Sequence, residues 1–189
     1  MQNLEEYPPM PEQAGFCGKL PARGDFIRRG LSETLVSCWD NWVARNLAYT
    51  HTVITQDEWV KGWVIAPLWR LSLPAGHLSE QPVSGLIMPS IDKAGRYFPF
   101  FAGVEGISAA INTGSFWHEM EHACRDALMH TIEPDELFLQ LQNIPAPEET
   151  SCMTEQGLWM TEGNNTIPAQ TLTYQELPEQ ELFAKLFWA

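Results

Sequence analysis

The alternation of apolar and polar residues predicts a chain in which strands and helices are interleaved. A short apolar run over 14–19 is typical of a first strand, and prolines and glycines punctuate an ordered loop over 20–30. Ser32 is suited to cap a helix that runs to about Tyr49, since apolar side chains then share one face: Leu35, Cys38, Trp39, Trp42 and Val43. Thr55–Glu58 matches a capping box, which predicts a second helix through Trp59, Trp63 and Val64 that ends before Pro67.

The middle of the chain predicts a β-hairpin. Strands are expected over 69–73, 84–88 and 97–104, and the last two flank Asp92–Gly95, with Asp first and Gly fourth as in a type I turn. A helix over 115–130, a short helix from Pro134, strands over 152–160 and 169–172, and a closing helix over 178–187 follow. This order favours an α/β domain with a mixed sheet. We expect residues 14–189 to form that single domain after a flexible lead-in, residues 1–13.

Composition and charge narrow the possible functions. Of 189 residues, 44% are hydrophobic, and 24 acidic against 11 basic residues give a net charge of -13. This charge argues against nucleic-acid binding and against docking on anionic lipid. The four scattered cysteines form no C-x-x-C pair, so neither a zinc site nor a disulfide framework is indicated. The first residues do not resemble a signal peptide and no run is long enough for a membrane span, so we expect a cytoplasmic, soluble protein.

One pattern suggests catalysis. His118-Glu119-x-x-His122 is the zinc-protease motif, in which two histidines one helical turn apart bind zinc and the glutamate polarises a bound water. The same helix places an apolar stripe on its other side, so both histidines should face solvent: Trp117, Met120, Ala123, Cys124, Ala127 and Leu128. No third ligand follows at metzincin spacing. We therefore expect no enzyme activity, no metal and no cofactor, and keep a zinc-dependent hydrolase as an alternative.

Four segments stand out in order along the chain: GFCGKLPARGDFIRRG at 15–30, WDNW at 39–42, APLWRL at 66–71 and GLIMPSIDKAGRYFP at 85–99. Together they resemble the TagF family of type VI secretion-associated proteins, with looser similarity at 157–159 and 183–188. The resemblance implies a three-layer α/β/α sandwich without known enzyme activity. It also implies a cytoplasmic post-translational regulator, chiefly a repressor, of bacterial type VI secretion. The implied partners are type VI secretion components, in particular the forkhead-associated scaffold protein of the threonine phosphorylation pathway.

The motif residues support two interpretations. In the structural interpretation, the motif glycines allow tight turns: Gly18, Gly24 and Gly95. Polar motif residues stabilise the loops: Ser90, Asp92 and Arg96. Asp25, Asp92 and Arg96 do so by bonding loop amides or by pairing with Arg28 or Arg70.

In the functional interpretation, a basic loop with neighbouring residues docks a partner: Arg23, Asp25, Arg28, Arg29, Trp39 and Asp40. The opposing possibility is that Asp25 and Asp40 hold the arginines while Trp39 lies in the core. A small-molecule or nucleotide sensor is a further alternative for the function. The residues do not indicate the oligomeric state.

Overall fold

The computed structural model describes residues 13–111, 114–147 and 155–188, and its centre is one seven-stranded sheet. The strands are β1 Gly15–Gly18, β2 Ile27–Arg29, β3 Trp69–Leu73, β4 Val83–Met88, β5 Phe100–Glu105, β6 Gly157–Thr161 and β7 Gln170–Tyr174. Their order is β2-β1-β5-β4-β3-β6-β7. Every neighbouring pair is antiparallel.

The α/β class is confirmed, but the prediction of a mixed sheet is wrong. It assumed that helices between strands act as crossovers between parallel neighbours. The helices α1 Glu33–Val53 and α2 Gln56–Ile65 instead connect β2 to β3, and three strands lie between those two in the sheet. Strands β3 to β5 and β6 to β7 pair with their neighbours in sequence, which antiparallel pairing allows through short connections.

Strand β2 lies inside the segment that the sequence predicted to be a loop. It has three residues, pairs with β1 from Phe16 opposite Arg29 to Gly18 opposite Ile27, and buries only Ile27. With a single buried residue, the segment shows no alternation of apolar and polar residues that would predict a strand. It forms a strand because it pairs with β1.

Among the described helices, only α1 has a side-chain cap at its start. Ser32 accepts a hydrogen bond from the Leu35 amide at 3.1 Å, which confirms the predicted cap of α1. Thr55 precedes α2 as expected, but its hydroxyl bonds the Glu58 carboxylate at 2.6 Å and no side-chain cap forms, so the capping-box prediction is wrong in its bonds. Helices α3 Ser115–Met129, α4 Pro134–Gln142 and α5 Glu181–Phe187 complete the described elements.

Side chains that alternate along the strands belong to two separate hydrophobic clusters. Cys17, Leu71 and Phe101 join one cluster with residues of α1, α2 and α5, and that cluster contains most of the buried tryptophans. Phe16 and Phe100 join the other cluster with residues of α3 and α4. The two clusters follow the two-residue period of a strand, so the sheet contributes side chains to both.

Two of the sequence predictions concern residues that the structure describes only in part. Nearly all of the predicted lead-in, residues 1–13, and the start of the strand predicted over 152–160 fall outside the described ranges. Within those ranges, none of the helices is both long and apolar enough to serve as a membrane span.

Candidate functional site

The centre of the candidate site is the buried carboxylate of Asp92, whose side chain has no exposed surface. One oxygen accepts the backbone amides of Ala94 and Arg96, each at 2.9 Å. The other lies 3.0 Å from Lys19 Nζ and 2.7 Å from Arg96 Nε. This carboxylate therefore closes the turn on its own segment and holds a cation from a distant one.

The electrostatics of Asp92 follow from these partners. Burial would raise the pKa of this carboxyl, but the hydrogen bonds from the Arg96 amide, the Lys19 ammonium and the Arg96 guanidinium outweigh burial. The result is a pKa well below the ordinary range of an aspartate. Asp92 is therefore ionised throughout the physiological range, and it binds two cations with one negative charge.

The predicted type I turn is confirmed at Asp92–Gly95. The Gly95 amide donates to the Asp92 carbonyl at 2.9 Å, and Gly95 has a φ of 81°. A φ in this range strains any residue with a Cβ, which explains glycine at the fourth position. Gly24 differs, because its φ is not positive and a Cβ there would meet nothing within 4 Å.

Two motif loops are joined around this turn; they are residues 19–29 and 90–96, which we call the loop cluster. The Lys93 amide donates to the Arg23 carbonyl at 2.9 Å, and the Arg96 guanidinium donates to the Gly24 carbonyl. At the base, Ser90 Oγ donates to the Lys19 carbonyl at 2.6 Å. Segments some seventy residues apart in sequence thus form one hydrogen-bonded surface.

Gly18 lies where this cluster meets the sheet. Its φ is 128°, and an ideal Cβ there would lie 2.5 Å from the Pro99 carbonyl oxygen. A side chain at this position would push β1 away from the end of the hairpin, so glycine is needed for a close backbone approach.

The three arginines of the predicted docking loop all reach the surface, and each has a carboxylate partner. They form these ion pairs: Arg23 with Glu133 at 2.7 Å, Arg28 with Glu33 at 3.0 Å and Arg29 with Asp135 at 2.9 Å. All six side chains are at least 41% exposed, and exposed pairs contribute at most about 1 kcal/mol each. These arginines remain available to exchange one carboxylate for another on a partner.

The other predicted site residues separate into surface and core. Asp25 and Asp40 are exposed, and neither pairs with Arg23, Arg28 or Arg29. Trp39 has 0% exposure and packs on Trp42 and Phe101, with ring centroids 5.3 and 4.9 Å away. Trp39 therefore supports the fold and offers no surface for direct contact with a partner.

Arg70 belongs to a different part of the molecule. It bonds Glu121 of α3 at 2.5 Å and reaches Glu162 at 3.5 Å, so it pairs with neither Asp25 nor Asp92. With Arg125 these residues line a polar cavity of about 200 Å³. Arg70 stabilises the packing of α3 on the sheet and takes no part in the loop cluster.

The zinc-protease pattern lies on the outer face of α3, as its helical periodicity predicts. His118 and His122 are exposed, whereas the opposite stripe is buried except for half-buried Leu128: Trp117, Met120, Ala123, Cys124 and Ala127. Among residues 13–111, 114–147 and 155–188, no three His, Cys, Asp or Glu side chains are grouped to hold a metal ion.

Sequence reasoning missed an apolar cavity beside the loop cluster. It has a volume of about 260 Å³, and eight residues line it: Pro21, Trp63, Val64, Pro89, Ser90, Ile91, Tyr97 and Leu128. Four of these lie within the hairpin motif and one within the opening motif, but Trp63, Val64 and Leu128 come from α2 and α3. Only the tertiary fold brings them together, so no local pattern could identify this cavity.

Comparisons with known proteins bear on the family and the fold of this chain. A family model described as TagF N-terminal domain, type VI secretion system-associated, matches residues 15–144. The crystal structure of PA0076 from Pseudomonas aeruginosa PAO1, at 2.05 Å resolution, is similar with a TM-score of 0.83 and 26% identity, over 93% of this chain and 94% of that one. A search of curated proteins gives no significant match. The structural similarity extends beyond the part that the family model matches.

Proposed function

The chain belongs to the TagF family of type VI secretion system-associated proteins, and we propose that it represses this system post-translationally by binding a protein partner. The proposed partner is the forkhead-associated scaffold protein, the proposed location is the cytoplasm, and the proposed contact surface is the loop cluster. The forkhead-associated partner and the repression come from the resemblance to the family, whereas the loop cluster is argued from the structure.

The observation that carries this proposal is the joining of two motif segments around Asp92. Lys19, Arg96 and two backbone amides converge on that carboxylate, which holds both loops in one arrangement. Recognition groups usually lie on loops that a scaffold holds in place, because a prearranged loop loses little entropy on binding. An Asp92-centred network therefore supports a binding role at this end of the sheet.

The distribution of charge supports the same surface. The loop cluster contains six of the eleven Lys and Arg residues but only two of the twenty-four acidic ones, and three further carboxylates pair with its arginines from outside: Glu33, Glu133 and Asp135. The six are Lys19, Arg23, Arg28, Arg29, Lys93 and Arg96. On a chain with a net charge of -13, this surface is suited to attract a partner's carboxylates, and arginine forms bidentate contacts with them.

The two hydrophobic clusters support the proposal of a three-layer α/β/α sandwich. One cluster combines strand residues with α1, α2 and α5, and the other combines strand residues with α3 and α4. In such an arrangement the helices cover the faces of the sheet, and the loops at its ends stay open to partners.

We propose binding rather than catalysis because the candidate catalytic groups are poorly placed. His118 and His122 project to solvent, where water competes for every interaction. Burial raises the pKa of the Cys17 and Cys124 thiols, so these two cysteines are weak nucleophiles at neutral pH.

The proposal is tested by mixing the purified chain with the purified forkhead-associated scaffold and measuring heat on titration. We expect saturable binding whose affinity decreases as salt rises, because salt screens the contributing charges. In the bacterium that carries the chain, deletion of its gene should raise secretion through the type VI system. If the chain does not bind the scaffold, the scaffold is not its partner. If deletion of the gene reduces secretion, the chain assists the type VI system instead of repressing it.

A small-molecule sensor is a second candidate, favoured by the polar cavity around Arg70. The side chain of Arg70 is only 14% exposed, and Arg125 lines the same cavity without an ion-pair partner among the described residues. A ligand with a carboxylate or phosphate group would suit the Arg125 guanidinium, whereas that of Arg70 is already bonded to Glu121. Screening such compounds for a rise in melting temperature tests this candidate, since a ligand that binds only the folded state must raise it.

A further inference from the structure

We propose that the apolar cavity beside the loop cluster receives an aliphatic side chain from an acidic segment of the protein partner. This inference rests on the proposed function, because it specifies what the loop cluster recognises. It adds an anchor site, formed chiefly by Pro21, Trp63, Pro89, Ile91, Tyr97 and Leu128, to a surface otherwise defined by charge.

The chemistry of the walls favours an aliphatic occupant. Trp63 is 2% exposed, and its indole N–H donates to the Ser90 carbonyl at 3.0 Å. The Ser90 hydroxyl is the donor to the Lys19 carbonyl, so the polar groups of both residues are already satisfied inside the protein. A polar side chain entering here would lose its water without gaining these partners, whereas an aliphatic one would gain burial.

The cavity is also open to a partner. Val64 of α2 lines it and is 68% exposed, while Pro21, Pro89, Ile91, Tyr97 and Leu128 are half-buried. Its volume of about 260 Å³ is slightly below the range of about 300–1,000 Å³ that is usual for small-molecule pockets, which suits one side chain rather than a cofactor.

The charges around the cavity indicate which charge the partner segment carries. Lys93 follows Ile91 by two residues, and its ammonium has no carboxylate within 4 Å among the described residues. Asp92 carries one negative charge between the two cations Lys19 and Arg96, so this group also retains a positive charge. Asp25 is the exposed carboxylate that opposes them within the loops.

The balance therefore remains positive at this one surface of a strongly acidic chain. Arg23 adds an exposed cation that pairs with Glu133, and its carbonyl accepts the Lys93 amide, so these two residues lie next to each other, each two positions from a residue that lines the cavity. Carboxylates that flank an aliphatic residue would meet these cations, while the rest of the chain would repel a misplaced acidic segment. An acidic segment with one aliphatic anchor fits both features.

A defined peptide tests the inference. The probe is the acetylated and amidated pentapeptide Glu-Asp-Leu-Glu-Asp, titrated into the ¹⁵N-labelled full chain and followed by NMR. We expect saturable shifts concentrated at the indole N–H of Trp63 and at the amides of Ile91, Lys93 and Tyr97. The same peptide with Ala in place of Leu should bind about tenfold more weakly, because a buried aliphatic group is lost. A peptide with Lys in place of each acid should not bind.

Matched variants locate the site. Lys93→Glu should weaken the peptide about fivefold, since an attractive charge at the rim becomes repulsive. Val64→Glu should weaken it as well by placing a carboxylate at the mouth of the cavity. The controls are Lys185→Glu on α5 and Val53→Glu, an exposed valine in a different groove, and both should bind like the wild type.

Each outcome has a defined meaning. Shifts elsewhere, equal binding of the Leu and Ala peptides, or equal weakening by the controls would overturn the inference. Capture of the forkhead-associated scaffold by the same variants is measured separately. If the peptide binds in the cavity but no variant affects scaffold capture, the loop cluster is not the binding surface for this scaffold. The cavity would then still be a site for an aliphatic side chain within an acidic segment.

Discussion

Asp92 and Lys19 are 73 residues apart in the chain, yet the buried Asp92 carboxylate and the half-buried Lys19 ammonium form an ion pair of 3.0 Å between the hairpin motif and the opening motif. This pair and the contacts of Arg96 with Asp92 and with the Gly24 carbonyl join the two loops of the loop cluster. The proposed binding surface is therefore built on a structural ion pair. Variants must distinguish loss of the surface from loss of the fold.

Replacement of the central carboxylate should destabilise the protein. Asp92→Asn leaves Lys19 and Arg96 without their shared counter-charge, and we expect a loss of about 2–4 kcal/mol in the free energy of unfolding. Urea denaturation at pH 7 measures this loss. The exposed Asp40 serves as a control, and Asp40→Asn should stay within about 0.5 kcal/mol of the wild type. Equal midpoints for the two variants would show that the Asp92 network contributes little to stability.

The stabilisation by Asp92 should depend on pH in one direction. Because its pKa is lowered in the folded state, the unfolded state takes up a proton first as pH falls. The contribution is complete above the ordinary aspartate pKa of about 3.9 and decreases below it, by about 1 kcal/mol at pH 3. The stability difference between the wild type and Asp92→Asn, measured from pH 7 to pH 3, should narrow accordingly. A difference that stays constant or widens toward pH 3 would contradict the lowered pKa.

The two motif glycines should respond differently to substitution. Gly95→Val should destabilise the protein by more than about 1 kcal/mol, because a β-branched residue resists a φ of 81°. Gly24→Ala should change the free energy of unfolding by less than about 0.5 kcal/mol, since its φ is not positive and its surroundings are open. Denaturation midpoints compare the two variants. Similar midpoints for the two variants would show that the positive φ at position 95 does not require glycine.

The histidine pair of α3 should be dispensable. Both side chains are exposed, so the double replacement His118→Ala with His122→Ala should shift the free energy of unfolding by less than about 0.5 kcal/mol and leave secretion unchanged. Elemental analysis of the purified wild type provides the second readout. About one zinc per chain that disappears in the double variant would revive the hydrolase alternative.

Local signals in the sequence predicted the helices and the hairpin well. The cap at Ser32, the stripe of α3 and the turn at Asp92–Gly95 depend on residues within a few positions of one another, and the structure has all three. Strand β2 and the direction of pairing depend on distant segments, which local periodicity does not report.

The candidate site shows the same division. The sequence identified the motif loops, but not the pairing of Asp92 with Lys19, which only the tertiary fold creates. The helical stripe predicts that Trp39 is buried, whereas the docking hypothesis needs it at the surface, and its burial in the core agrees with the stripe. The cavity around Trp63 combines residues from four segments that are distant in sequence, so only the three-dimensional structure reveals it.

We propose that the loop cluster binds the forkhead-associated scaffold, and charge reversal at Arg28 and Arg29 tests this proposal most directly. Both side chains are exposed, so the double variant Arg28→Glu with Arg29→Glu should keep the wild-type melting temperature. A control with the same change in charge, Arg45→Glu with Lys185→Glu, alters cations outside the cluster.

The measurement is the affinity of each folded variant for the purified scaffold at one salt concentration. We predict at least about tenfold weaker binding for the Arg28 and Arg29 variant, because attractive contacts become repulsive, and nearly unchanged binding for the control. A folded Arg28 and Arg29 variant that binds the scaffold as tightly as the wild type would contradict the claim.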